Sequence, residues 1–208
     1  MTRIVPGILA MATIVVASNI LVQFLVLDGL LTWGAFTYPF AFLVTDVMNR
    51  VYGPQPARRV VLAGFVTGVI CSLIGSQIIG EFGPLVPLRV AVGSGVAFLT
   101  AQLLAVGIFD RLRGGAWWRA PLISTLVGSA VDTALFFTIA FAGVLSFGAA
   151  ADANVAWAQA PAPLLLTGPE APLWVTLALA DWGVKLVIAL MALVPFRVIV
   201  SKMTATLA

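Results

Sequence analysis

Long apolar stretches separated by short polar, glycine- or proline-containing breaks run the length of the chain. A helix crossing the hydrocarbon core of a bilayer needs about 20 mostly apolar residues. Six stretches reach that length, at 6–27, 30–50, 60–79, 89–109, 121–147 and 172–196. Between them stand Asp28-Gly29, Gly53-Pro54-Gln55-Pro56, Gly83-Pro84 with Pro87, and Gly114-Gly115, residue types that end helices and turn chains. The pattern predicts an all-α polytopic membrane protein, with a single domain of six transmembrane helices over residues 1–208. The first stretch follows Arg3, as a secretory signal would, but its apolar run is longer than the roughly 7–15 residues of a signal peptide and more spans follow. It is therefore read as helix one. The Ala/Pro-rich segment 148–171 is expected to be a slack linker, with a short interfacial helix or lid as the alternative.

Composition points the same way. Hydrophobic residues make up 62% of the 208 and charged residues 9%, against about 25% charged in an average soluble domain. That surplus of apolar surface calls for lipid as its solvent. Histidine is absent and Cys71 is the single cysteine, which excludes histidine acid–base chemistry, the usual histidine metal sites and an intramolecular disulfide. No cofactor, metal or catalytic residue is expected.

The distribution of the basic residues sets an orientation. Arg3, Arg50, Arg58, Arg59, Arg111, Arg113, Arg119, Arg197 and Lys202 all fall on one side of the six spans, Arg89 alone on the other, and Lys185 inside a span. Cytoplasmic loops carry the excess of Lys and Arg, so both termini are expected in the cytoplasm. Trp117-Trp118 beside Arg119 reads as an interfacial anchor. The net charge of +3 by itself says little about partners; the expected partners are a small molecule and the lipid bilayer, with no direct nucleic-acid contact. A homodimer is left open.

Candidate chemistry lies in polar groups within the spans, because a charge near the bilayer centre costs at least about 2.5 kcal/mol and normally faces a partner or a cavity. Asn19 and Gln23, one turn apart, are expected to share a helix face. Tyr38 precedes Pro39, which removes a backbone donor and can kink the helix. Asp46 and Arg50, four apart, can pair, and Asn49 lies beside them. Thr125, Ser129 and Asp132 form one stripe, followed by Phe136 and Phe137. Asp181 and Lys185, again four apart, can neutralise each other. Asp132 has no basic residue within a turn of its own helix, which makes it the strongest functional candidate. Gly64 and Gly68, or Gly93 and Ala97, suit close helix packing. Carboxylate, amide, hydroxyl and aromatic groups around one cavity fit a small, flat, polar ligand such as a purine-like base. A vitamin or a proton pathway would use similar groups.

An ordered set of motifs runs along the chain: Ser18-Asn19 with Gln23, Thr32 through Phe40, Thr45-Asp46, Asn49-Arg50, Tyr52-Gly53, Ala57-Arg58-Arg59, Phe109 through Arg113, Trp117-Trp118, Ser124-Thr125, Gly128, Asp132-Thr133, Phe136-Phe137, Asp181, Lys185 and Pro195. Together they resemble the YhhQ/VUT family of queuosine-precursor transporters. The resemblance spans nearly the whole chain. It implies a six-helix bundle similar to the substrate-binding subunits of vitamin importers. It also implies uptake of 7-cyano-7-deazaguanine, or its aminomethyl analogue, through a bacterial inner membrane for queuosine salvage into tRNA. On that basis Asp132 would accept from the ring N–H and exocyclic amine. Asn19 and Gln23 would meet the carbonyl or nitrile side, with Phe136 or Tyr38 stacking. Asp46, Asn49 and Arg50 would form a cytoplasmic gate or a second half of the site, and Asp181–Lys185 would shape the wall. Two features depart from the family pattern: Ala105 stands where an acidic residue is expected, and the 148–171 segment is long. Two rival readings are a binding subunit of an ATP-driven importer and an intramembrane enzyme acting on lipid. The second would want clustered carboxylates or a serine with a base, which the scattered aspartates do not offer.

Overall fold

The computed structural model describes residues 2–81 and 83–207. Helices dominate: α1 Val5–Leu21, α2 Trp33–Thr37, α3 Phe40–Tyr52, α4 Pro54–Gln77, α5 Leu88–Leu112, α6 Arg119–Phe141, α7 Ala149–Ala153, α8 Leu173–Met191 and α9 Leu193–Leu207. Four of them, α4, α5, α6 and α8, with 24, 25, 23 and 19 residues, are long and apolar enough to cross a membrane. At about 1.5 Å per residue they run roughly 28–38 Å, enough for a hydrocarbon core of about 30 Å. Most of their surface is apolar and faces outward, so the chain is a polytopic membrane protein.

The other two predicted spans are shorter or broken. The first ends at Leu21 as a helix of 17 residues, and the chain then turns into a small antiparallel hairpin of β1 Leu25–Val26 and β2 Leu31–Thr32. The second is interrupted at Tyr38-Pro39, between α2 and α3. Pro39 has no N–H to give the preceding turn, and the chain crosses the break with Ala41 N–H bonded to the Tyr38 carbonyl and Phe42 N–H to that of Pro39. The fifth stops at Phe141, six residues early, where Ala142 turns extended. The sixth continues past its predicted end through α9, with a break at Ala192. Pro195 is the cause there, since it has no N–H for the Met191 carbonyl one turn back.

α5 and α6 lie against each other along most of their length and form the spine of the bundle. Their closeness depends on two glycines. A Cβ at Gly93 would come within 3.2 Å of the Ala140 nitrogen and the Phe136 carbonyl, and one at Gly128 within 3.2 Å of the Ala105 Cβ and 2.8 Å of the Phe42 ring. Ala101 and Ala105 are buried with Phe42 at this crossing. An acidic side chain at 105 would not fit, which accounts for the alanine.

The 148–171 segment is an ordered cap, contrary to the expected slack linker. It contains α7, a 3-10 turn at Ala156–Gln159, and β3 Pro161–Pro163, which pairs antiparallel with β4 Glu170–Pro172. Val155 and Ala158 bury themselves against Phe137, Ala140 and Phe141 at the end of α6. Arg89 fixes the cap. Its guanidinium is buried, donates to the carbonyls of Ile139 and Ala142, and pairs with Asp152 at 3.0 Å. The Ser146 hydroxyl and the Phe147 N–H on Asp152, with Arg89 beside it, hold this carboxyl below the usual carboxylate range.

Candidate functional site

The break before α3 puts Tyr38 at the centre of the bundle, where α6 and α8 pass. Its hydroxyl donates to Asp132 Oδ1 at 2.9 Å. Lys185, on α8, donates to the other oxygen, Asp132 Oδ2, at 2.8 Å, and to Thr133 Oγ1 at 2.9 Å. The same ammonium lies 2.6 Å from Asp181 Oδ2, to which Thr133 also donates at 3.0 Å. Lys185 Nζ sits 5.4 Å from the centre of the Tyr38 ring, within the range of a cation–π contact. Asp132 is 3% and Lys185 4% exposed. Two carboxylates and one ammonium leave the cluster one formal negative charge in excess, midway along α6.

The structure therefore brings together Tyr38, Asp132, Asp181 and Lys185, and adds Thr133. The partner that Asp132 lacks on its own helix comes from α8, so Lys185 serves both aspartates instead of Asp181 alone. Phe136 stands one turn beyond Asp132 and stacks edge-on with Phe137 and Phe141, forming an aromatic wall between the cluster and the cap. Trp182, between Asp181 and Lys185, has a buried indole N–H without a hydrogen-bond partner among the described residues.

Other predicted residues lie elsewhere. The shared face of Asn19 and Gln23 is not formed, because α1 ends before Gln23, which is exposed in the turn that follows. Asn19 donates back to the Val15 carbonyl of its own helix at 2.9 Å. The Asp46–Arg50 pair is also absent. Asp46 is turned into the bundle and accepts from Ser124 at 3.1 Å and Thr125 at 2.9 Å, while Arg50 donates to the Arg113 carbonyl at 2.8 Å. Asn49 ties α3 to α5 through the Val106 carbonyl and receives Arg113.

Two polar residues were not among the candidates read from the sequence. Gln102 is fully buried on α5, accepts from Thr45 at 2.7 Å, and has a free amide N–H₂ among the described residues. Its signal was a lone amide inside an apolar span. Thr133 was visible only as the neighbour of Asp132.

Buried, mutually bonded charges at the crossing of a broken helix with two through-going ones, inside a polytopic bundle, are an arrangement in which a membrane transporter can hold a polar cargo. Residues 32–200 match the family described as "Putative vitamin uptake transporter", and the chain belongs to that family. It is 34% identical over 195 residues to the "Queuosine precursor transporter" of Escherichia coli (strain K12), an alignment covering 88% of this chain and 79% of that protein. It is 37% identical over 121 residues to the "Probable queuosine precursor transporter" of Haemophilus influenzae, covering 53% and 52%. A further "Probable queuosine precursor transporter", from Bacillus subtilis (strain 168), is 34% identical over 133 residues, covering 54% and 57%. No solved structure matches the chain.

Proposed function

We propose that this chain imports a queuosine precursor, 7-cyano-7-deazaguanine or its aminomethyl analogue, across a bacterial cytoplasmic membrane, and that the ligand binds at Asp132. The relatives named above and the family membership support the transport class. The observation that carries the site is the Tyr38–Asp132–Lys185 network. Both Asp132 oxygens are held by groups that a deazaguanine can replace, since its ring N–H and exocyclic amine present two donors side by side. Binding would exchange Tyr38 and Lys185 for those donors, while Lys185 keeps Asp181 and so stays neutralised. The exchange keeps Lys185 neutralised by Asp181 and keeps both Asp132 oxygens hydrogen-bonded, so neither the ammonium nor the carboxylates of the cluster are left unpaired. Tyr38 or Phe136 would then cover the face of the base.

The same reading has the chain forming one domain that crosses the membrane six times, with α2–α3 as a broken second span. Both termini and the arginine-rich end would face the cytoplasm. The cap over α6 would face outside. Asn49 and Arg50, bonded to the α5 end, would belong to the cytoplasmic gate, and Asn19 and Gln23 would lie along the approach to the site instead of gripping the base.

Uptake of labelled 7-cyano-7-deazaguanine by cells without an importer of their own tests this. Expression of the chain should give saturable uptake, and Tyr38→Ala, which removes the ring that covers the base, should weaken it severalfold. Uptake no higher than in control cells, with the protein in the membrane, would overturn the reading.

A further inference from the structure

Asp46 is the buried charge that the Asp132 cluster does not use. It is 2% exposed, and no cationic nitrogen lies within 4.0 Å of its carboxylate among the described residues. On α3, Arg50 is bonded to the Arg113 carbonyl and set over the Phe109 ring. On α4, Arg58 and Arg59 are exposed. On α5, Gln102 is uncharged and bonded to Thr45, and Arg113 is engaged with Asp110 and Asn49. α6 offers the Ser124 and Thr125 hydroxyls, and α8 and α9 offer Ala189, Leu193 and Phe196. Arg197 stacks on Trp117. This contrasts with Asp132 and Asp181, which share an ammonium.

A bare carboxylate so placed costs several kcal/mol, unless a mobile positive charge joins it. Three further features favour such a charge. The carboxylate lines a narrow cleft with Pro39, Thr125 and Phe196, beside the helix break that carries Tyr38. Its two partners are hydroxyls, Ser124 at 3.1 Å and Thr125 at 2.9 Å, each able to turn from donor to acceptor when the carboxyl takes up a proton. Finally, Thr125 belongs to the same α6 stripe as Ser129 and Asp132, all buried. Two turns, or about 10 Å of helix rise, separate Thr125 from Asp132, so a movement of α6 or of the Tyr38-Pro39 break at one carboxylate reaches the other.

We propose that Asp46, with Ser124 and Thr125, is the binding site of a proton carried with the substrate. On loading, a proton from water forms an O–H bond on the Asp46 carboxylate, and one hydroxyl partner turns from donor to acceptor. On release that O–H bond breaks, the proton passes to water on the other side, and the hydroxyl turns back. No electron transfer or further reactant is involved. The proposal rests on the transport reading above and adds the driving force.

The test uses the purified full chain in proteoliposomes with labelled 7-cyano-7-deazaguanine. Exchange between internal and external substrate at equal pH reports binding and turnover alone. Net accumulation under an imposed acid-outside gradient reports coupling. The wild type should exchange, accumulate at least tenfold more substrate with the gradient, and lose that gain with a protonophore. Asp46→Asn should exchange but show no gradient response, and Asp46→Glu should recover part of it. Absence of exchange by the wild type would sink the transport reading itself. Exchange without a gradient response, accumulation driven by a sodium gradient instead, or an Asp46→Asn variant that accumulates like wild type would each overturn the proton site alone. Loss of exchange in Asp46→Asn, at normal reconstitution, would also overturn it and place Asp46 in substrate binding.

Discussion

At the scale of the residue, the site is decided by which charges share a partner. Lys185 contacts two carboxylates at once, so the three side chains are unequal in what their loss does. Lys185→Met would leave two buried carboxylates facing each other, and breaking a buried pair in this way costs about 3–5 kcal/mol. Asp132→Asn keeps an acceptor for Tyr38 and leaves Lys185 paired with Asp181. We therefore expect Lys185→Met to lower the thermal midpoint of the detergent-purified protein by far more than Asp132→Asn, as followed by size-exclusion chromatography after heating. Equal losses would contradict the shared-partner geometry. The identities of these residues were legible in the sequence because ionisable side chains within apolar spans are few. Their pairing was legible only in part. Spacing four apart made Asp181–Lys185 and Asp46–Arg50 look equivalent, yet only the first pair forms. The second fails because α6 brings two hydroxyls to Asp46 and α5 brings a carbonyl to Arg50, information that lies outside either helix.

At the scale of the element, apolar run length predicted α4, α5, α6 and α8 well, since a bilayer rewards unbroken hydrophobic helix. It failed where the backbone and not the side chain set the limit. Residues 22–27 are as apolar as those before them, but α1 ends at Leu21 and the following residues form a turn and a strand. Pro39 and Pro195 mark breaks that hydropathy alone passes over, and the first of these places Tyr38 against Asp132. The α5–α6 spine also depends on local detail. Gly128→Leu would drive a side chain into Phe42 and Ala105, and overpacking of this kind costs about 1–3 kcal/mol. Reduced thermal stability, with uptake falling in parallel because α6 carries Asp132, is the expected result. Unchanged stability would mean that the two helices are not held at this distance.

At the scale of the whole molecule, a bundle with a charged centre is closed at one end by an arginine-rich rim and at the other by a cap pinned through Arg89. Arg89 stood out in the sequence only as a lone basic residue on the opposite side, and nothing in the composition of 148–171 announced that Val155 and Ala158 would pack on α6. The cap should hold across the physiological range. Asp152 titrates below its ordinary value, so its contribution is fully present above about pH 4, the unfolded carboxyl value. It is lost only as pH falls through the folded value. Hydrogen exchange at residues 149–159, corrected for the intrinsic rate, should stay protected from pH 8 to 5 and rise below about pH 4, whereas Asp152→Ala should be unprotected throughout. Loosening near neutral pH would contradict this arrangement.

The central claim, a queuosine precursor carried at Asp132, is tested most directly by the queuosine content of tRNA in a bacterium that lacks both precursor synthesis and its own importer. The cells would express this chain and receive a low concentration of 7-cyano-7-deazaguanine. We expect the wild type to restore queuosine and Asp132→Asn, at equal membrane abundance, to restore less than a tenth as much. Equal restoration by both would contradict the site, and no restoration by the wild type with either the cyano or the aminomethyl precursor would contradict the function.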